Sequence, residues 1–472
     1  MRCRDPPSVS YKKSGQGKNW NQITGKDAAR MESLLEELKR KLGSDADWYC
    51  ENDELSGEPV TLLGLGSLID VFETKESIRK YLTSAPGRER PENRFLGFSE
   101  EARTAEEAIE AILSGKLLVF RARTGECWIA EPVAKPLMRQ IGTPNIENVV
   151  RGPVAAFTED IRSNIGIARQ YLQSGNLRVE MKAIGAAHRI DVAVLYVEGR
   201  ADTVFLGKLN ERLQEGKNGD VSTLQGLIRV LGFPMRSIVS RLQSTELPAE
   251  AVGALKKGRV VLFVDRMPYA LVLPTQLWDL FALESDLNFP RPIMHALRAL
   301  RLIGALITIL LPALYVALVA VNPEALRIQL ALSVAQSREG VPYPALLETL
   351  LLLLIIELIL EGSIRLPKSV GPTITMVGGI VIGQAVVTAK LVSNLLIIIL
   401  AATTIANSAI AGFQNSYTIR SLKYVTLLLA AVFGVLGIFA GFLLICAYFA
   451  SQHTYGVSYV QLRFAKDELP HG

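Results

Sequence analysis

The feature that most constrains this chain is a set of long stretches without one charged side chain: Leu302–Val321, Pro372–Ala389, Leu391–Phe413 and Tyr424–Ser451. A helix needs ~20 consecutive apolar residues to cross a hydrocarbon core of ~30 Å, and each stretch is about that long. A soluble core helix seldom needs such a run. Up to Pro290, by contrast, charges recur every few positions. The uneven split predicts an α/β soluble N-terminal region followed by an all-α polytopic membrane domain of about five helical segments. The fifth segment is Ala345–Leu360, apolar except for Glu348 and Glu357, which either spans or re-enters from one side.

Met1–Arg30 is polar and basic and lacks the apolar core of a secretory signal, so insertion is expected to begin after Arg291. Arg291, Arg298 and Arg301 precede the first helix and, by the positive-inside rule, hold the N-terminal region on the cytoplasmic side. With five spans, the last segment ends on the opposite side. Membrane lipid is therefore an expected partner. A net charge of +5 over 472 residues gives no argument for nucleic acid.

Within the N-terminal region the sequence repeats itself. VTLLGLGSLID (Val60–Asp70) and VAVLYVEGRAD (Val192–Asp202) are both β-rich runs that end in a glycine and then an aspartate. TAEEAIEAILSGKLLVF (Thr104–Phe120) and TELPAEAVGALKKGRVVLF (Thr245–Phe263) both read as an Ala-rich helix, a glycine cap and a buried strand. The repeat implies two related α/β subdomains, residues 43–150 and 151–290, behind a polar tail and short amphipathic helix over 1–42. A linker helix is expected over Phe157–Gln173, with Ile161, Ile165, Ala168 and Leu172 on one face, and a hinge at Asp286–Pro292. The transmembrane domain is expected over 291–455, with a C-terminal tail over 456–472.

No motif carries catalytic chemistry. SGQGKN (Ser14–Asn19) lacks the first glycine and the magnesium-holding hydroxyl of a phosphate loop. The four histidines and four cysteines are scattered without ligand spacing, so neither a metal, a cofactor nor a disulfide framework is expected. The informative residues lie in the apolar segments. Ionisable groups there cost about 2.5 to 3.5 kcal/mol each on insertion scales, so Glu348 and Glu357 need a role in a pathway or in helix packing. Nine residues apart, they lie on opposite faces of one helix, whereas Glu361 shares the Glu357 face and sits four residues before Arg365. Thr403, Thr404, Asn407 and Ser408 form an uncharged polar face suited to lining water or joining helices. Gly379–Gly383 and Gly437–Gly441 have the spacing that permits close helix approach.

REGVPYP (Arg338, Glu339, Gly340, Val341, Pro342, Tyr343, Pro344) is followed by Glu348, by IRLPKSVGP with Arg365, Leu366 and Pro367, and by MVGGIVIGQAVV at Met376–Val387. This ordered series resembles the A subunit of GerA-type spore germinant receptors, as do RGPVAAFTEDIRSNI (Arg151–Ile165) and LPALYVAL (Leu311–Leu318) upstream. The resemblance implies a multi-pass protein of the bacterial spore inner membrane that acts with a transporter-like B subunit and a lipoprotein C subunit. It further implies a homo-oligomer forming a germinant-gated ion channel, with no enzymatic activity. It also marks Asn415 as standing where relatives usually have a proline. A secondary transporter and a SpoVAF-like accessory spore membrane protein are the alternatives.

Overall fold

The computed structural model describes residues 25–55, 58–84, 99–102, 104–121, 127–130, 153, 155–186, 188–366, 371–410 and 412–461. The N-terminal tail, all of 131–152, Pro367 and the residues after 461 lie outside the described set. The chain divides into two compact units. One comprises residues 1–235 and 242–274, the other 236–241 and 275–472.

The first unit is an eight-element pattern laid down twice. Its first copy runs α1 (Gly25–Leu42), β1 (Trp48–Leu55), β2 (Glu58–Leu65), α2 (Val71–Ser84), β3 (Ser99–Glu101), α3 (Ala105–Leu113), β4 (Leu117–Arg121) and β5 (Cys127–Ala130). The second runs α4 (Ile161–Tyr171), β6 (Leu177–Ile184), β7 (Ile190–Val197), α5 (Thr203–Glu215), α6 (Leu224–Val230), β8 (Gln243–Thr245), α7 (Pro248–Lys256), β9 (Val260–Val264) and β10 (Ala270–Leu273). The sheet orders are β1-β2-β4-β5-β3 and β6-β7-β9-β10-β8, every neighbouring pair antiparallel. The second copy adds only α6.

Local chemistry accounts for the match. Asp70 accepts from the Glu73 amide at the start of α2, and Asp202 accepts from Val204 and Phe205 at the start of α5. These are N-caps that satisfy otherwise orphaned donors. Thr104 and Glu107 form a capping box on α3. After α3 and α7 the chain turns through Gly115 (φ 86) and Gly258 (φ 78), a left-handed conformation that side chains resist, and enters a central strand. The strand Val260–Val264 is buried at every residue, as a central strand covered on both faces must be.

Leu34, Leu38 and Leu42 of α1 are buried in the first core, as are Ile161, Ile165 and Ala168 of α4 in the second. The helix expected from Phe157 starts at Ile161, because Asp160 takes the cap position and accepts from Ser163. The two copies are joined by a buried charge cluster. Arg169 donates to Asp47 through Nε (2.6 Å) and Nη2 (2.6 Å) and to Asp45 (3.0 Å), while the Ala46 amide bonds Val179 O.

The second unit is helical: α8 (Arg291–Val316, continuing as a π-turn to Val321), α9 (Ile328–Ser337), α10 (Ala345–Arg365), α11 (Gly371–Thr388), α12 (Asn394–Ser408) and α13 (Phe413–Ser451), with a two-residue ribbon β11 (His453–Thr454) and β12 (Val457–Ser458). By length and composition, Arg291–Val321 and Gln414–Ser451 are stretches able to cross a membrane, while Met376–Thr388 and Asn394–Ser408 are shorter apolar helices. Large apolar side chains stay exposed along the outside, among them Leu354, Leu358, Ile380, Ile398, Leu436 and Leu443. Such a surface fits hydrocarbon and not water.

α8 is the central helix. A Cβ on Gly304 would lie 2.7 Å from Ala406 O, so the α8 and α12 backbones touch there. Thr308 donates to Gly304 O (2.8 Å), and Thr426 of α13 reaches Ile309 O (2.7 Å).

Four sequence expectations are revised. The run Tyr424–Ser451 is not a single straight span. Gly434 leaves the helical conformation (φ 62, ψ −136), and a Cβ on Gly441 would lie 3.0 Å from Thr426 Cα. Fifteen residues of straight helix would separate those two by about 22 Å, so α13 is a tight hairpin of two antiparallel arms. The run Leu391–Phe413 is helical only over α12, bounded by the Ser393 N-cap and by a turn at Gly412 (φ 78). The expected hinge is tied down: Asp286 is buried and takes Arg301 at 2.5 and 2.8 Å, with Arg298 at 3.6 Å. Finally, Gly437 and Gly441 pack against the other arm of their own hairpin, whereas a Cβ added to Gly379 or Gly383 would meet nothing within 4 Å beyond its own helix. Ala345–Leu360 forms part of one continuous helix, α10, of 21 residues, without a re-entrant turn.

Candidate functional site

The charged residues singled out in the apolar segments fall into two clusters at opposite ends of α10. Glu348, in its first turn, is fully buried. Its Oε1 accepts from the Ser393 amide at 2.6 Å, its Oε2 lies 3.3 Å from Arg338 Nε, and the Tyr315 hydroxyl stands 3.4 Å away and 3.0 Å from Ser393 Oγ. One carboxylate thus joins α8, α10, the N-terminus of α12 and the REGVPYP loop. Arg338 also donates to Tyr343 O (3.0 Å), which curls that loop around Gly340 (φ 85). A Cβ on Gly340 would lie 2.8 Å from the Lys390 side chain. Glu339, Pro342 and Tyr343 are exposed, Val341 is half-buried, and Pro344 caps α10.

Glu357 faces α13. It is paired with Arg420, with Lys423 Nζ at 2.9 Å and with the Tyr424 hydroxyl at 3.5 Å. The Arg420 guanidinium lies over the Tyr417 ring (4.8 Å), and Lys423 over the Tyr424 ring (5.2 Å). Two cations therefore share one carboxylate, with aromatic faces supplying the remaining stabilisation. One turn on, Glu361 bonds Arg365 (2.7 Å), as the four-residue spacing implied, and also takes the Tyr417 hydroxyl (2.8 Å). Leu366 is half-buried; Pro367 lies outside the described residues.

The polar face on α12 is divided. Thr403 and Asn407 are buried, Thr404 is half-buried and Ser408 is exposed. Thr403 and Thr404 both donate to Leu400 O, Ser408 donates to Ile405 O, and Asn407 donates to Ser416 Oγ at 2.7 Å. Thr403 O accepts weakly from Thr308 (3.4 Å), so this face meets α8 and α13. Asn415 donates to Asp279 O (3.4 Å).

Sequence reasoning missed the partners of Glu357. Arg420 and Lys423 are the two charges in Phe413–Ser451, three residues apart and so on one helix face, and that spacing was the available signal. It missed Arg338 as the partner of Glu348 as well, although the two lie ten residues apart in one motif.

A tandem α/β region ahead of apolar helices, two of them long enough to cross a membrane, is the architecture of a membrane protein with a large polar N-terminal region. Residues 36–467 match the Bacillus/Clostridium GerA spore germination protein family, and the chain belongs to that family. It is similar to spore germination protein A1 of Bacillus subtilis, at 33% identity over 75% of this chain and 74% of that one. It is similar also to spore germination protein GerLA of Bacillus cereus, at 31% identity over 90% and 88% of the two chains. Among solved structures, the crystal structure of the N-terminal domain of the A subunit of the Bacillus megaterium spore germinant receptor GerK3 matches at 19% identity, TM-score 0.36, over 50% of this chain and 92% of that one.

Proposed function

We propose that the chain is the A-type subunit of a spore germinant receptor, crosses the spore inner membrane several times, and assembles with copies of itself into a cation channel that opens on germinant binding. A transporter-like B subunit and a lipoprotein C subunit complete the receptor in this reading, and the chain itself carries out no catalysis. The germination role is supported by family membership. The channel role is supported by one observation, the cluster of Glu357, Arg420 and Lys423 among apolar helices. Charges are retained in such a setting where they face a partner or a water-filled path, and this cluster has a carboxylate still 24% exposed that two cations hold in place.

The test is cation release. Spores whose sole receptor contains this chain are challenged with nutrient broth, and potassium release is followed in the parent and in Glu357→Gln. The variant is expected to slow release at least several-fold at unchanged receptor abundance. Unchanged release kinetics in both Glu357→Gln and Glu357→Ala would remove the channel role.

A further inference from the structure

Six residues of the α/β stretch of the chain, Arg236–Arg241, belong to the helical unit and not to the unit that precedes and follows them in sequence. The segment lies between α6 and β8 and has no regular structure. Both arms of the α13 hairpin hold it. On the returning arm, Tyr448 Oη accepts from the Ile238 amide (2.9 Å) and from the Val239 amide (3.4 Å), and stands 3.3 Å from Ser237 Oγ. Arg241 donates to Gln452 Oε1 at 2.7 Å. On the outgoing arm, Thr418 donates to Ile238 O (3.2 Å). Val239 is buried among Leu280, Phe281, Ile419, Leu422, Ile445 and Phe449.

The outgoing arm has a second duty. Arg420 and Lys423 hold Glu357 of α10. At 3.6 residues per turn, positions 418 and 420 are about 200° apart around the helix axis. One short length of helix is therefore gripped by the loop on one side and by Glu357 on the other. A hydrogen-bonded helical turn is stiff, so a force on one side is delivered to the other as a shift or rotation of the whole turn.

We infer that the Arg236–Arg241 loop is a coupling element, and that Tyr448 and Thr418 are positioning residues through which the α/β part of the chain sets the geometry of the Glu357 ion cluster. The inference rests on the proposed function for its purpose, but its physical content is a reciprocal coupling between the loop and Glu357 that needs neither germinant nor channel to measure.

The full-length chain in lipid nanodiscs is examined by amide hydrogen exchange. Tyr448→Phe keeps the ring and removes the acceptor, so exchange over residues 237–240 is expected to rise about fivefold, the scale of one net hydrogen bond. Exchange is expected to rise as well over 355–361 and 419–424. Linkage requires the converse, so Glu357→Gln should raise exchange over 237–240. Thr349→Val, which removes a side-chain bond to Ala345 O elsewhere on α10, should leave the loop unchanged. Thr418→Val tests the same link from the other arm. The inference is overturned if the effect of Tyr448→Phe stays within the loop and its immediate neighbours, or if Thr349→Val loosens the loop as much as Glu357→Gln does. Potassium release from spores carrying the same variants separates the two proposals. Coupled exchange with normal release sinks the channel role alone, whereas altered release without coupled exchange sinks this one.

Discussion

Asp286 shows how a single carboxylate at the edge of the apolar helices fixes its surroundings. Burial alone would raise its pKa, but the two bonds from Arg301, the Leu283 amide and the nearby Arg298 charge outweigh burial and hold the group below the ordinary carboxylate range. A folded-state value below the unfolded one contributes stability above the unfolded pKa of ~3.9, and that stability fades as pH falls through the folded value. Thermal unfolding of the parent and of Asp286→Asn, followed across pH, should therefore differ at pH 6, with the gap narrowing only below about pH 4 and closing once the pH has fallen through the folded value. A gap that stays constant with pH would show that the carboxylate charge contributes nothing. Removing one partner of such a buried pair costs about 3–5 kcal/mol, so the difference at pH 6 should be easy to resolve. Glu348 is a joint of the same kind, buried more deeply and shared by four segments, which gives the REGVPYP motif a structural reason for its arginine.

At the scale of elements, the α13 hairpin depends on one glycine. The mirror-image backbone conformation of Gly434 is one that side chains adopt only at a cost of about 1–3 kcal/mol. A Cβ there would also lie 1.9 Å from Asn322 Oδ1, the atom that accepts from the Val435 amide and starts the returning arm. Gly434→Ala should lower stability by more than the conformational cost alone, about 2 kcal/mol or greater. Gly379→Ala, whose new Cβ would meet nothing within 4 Å beyond its own helix, should be tolerated. Equal effects of the two in a thermal-shift assay of the purified chain would sink this account. The two GxxxG pairs look alike in sequence; what distinguishes them is a reversal that periodicity does not register, because both arms are apolar and a lone glycine in an apolar run usually signals nothing.

For the whole molecule, legibility followed the range of the interaction. The α/β repeat was visible because its punctuation is local: Asp70 with Asp202, and Gly115 with Gly258, sit at matching points beside similar apolar runs. The apolar segments were visible for the same reason, since composition is a property of each stretch by itself. Invisible were the joints between distant parts. Arg169 meets Asp45 and Asp47 more than 120 residues away, Glu357 meets Arg420 and Lys423 across two other helices in sequence, and a loop of the α/β stretch meets Tyr448. Nothing in the local pattern of any of these residues names its partner. The candidate site was thus half-read, with the carboxylates found and their counter-charges missed.

The small bond between the Leu277 amide and Tyr459 O, 3.0 Å long, carries a consequence of its own. Leu277 precedes α8 and Tyr459 follows α13, and the Gln276 side chain touches Gln461 (3.1 Å) beside it. Two points in contact share a compartment. Whatever route the chain takes between them, it must traverse any intervening bilayer an even number of times, which the simple tally of five does not allow. Cysteines placed at Gln276 and Gln461 should accordingly be modified, or spared, together by a reagent that cannot cross the membrane.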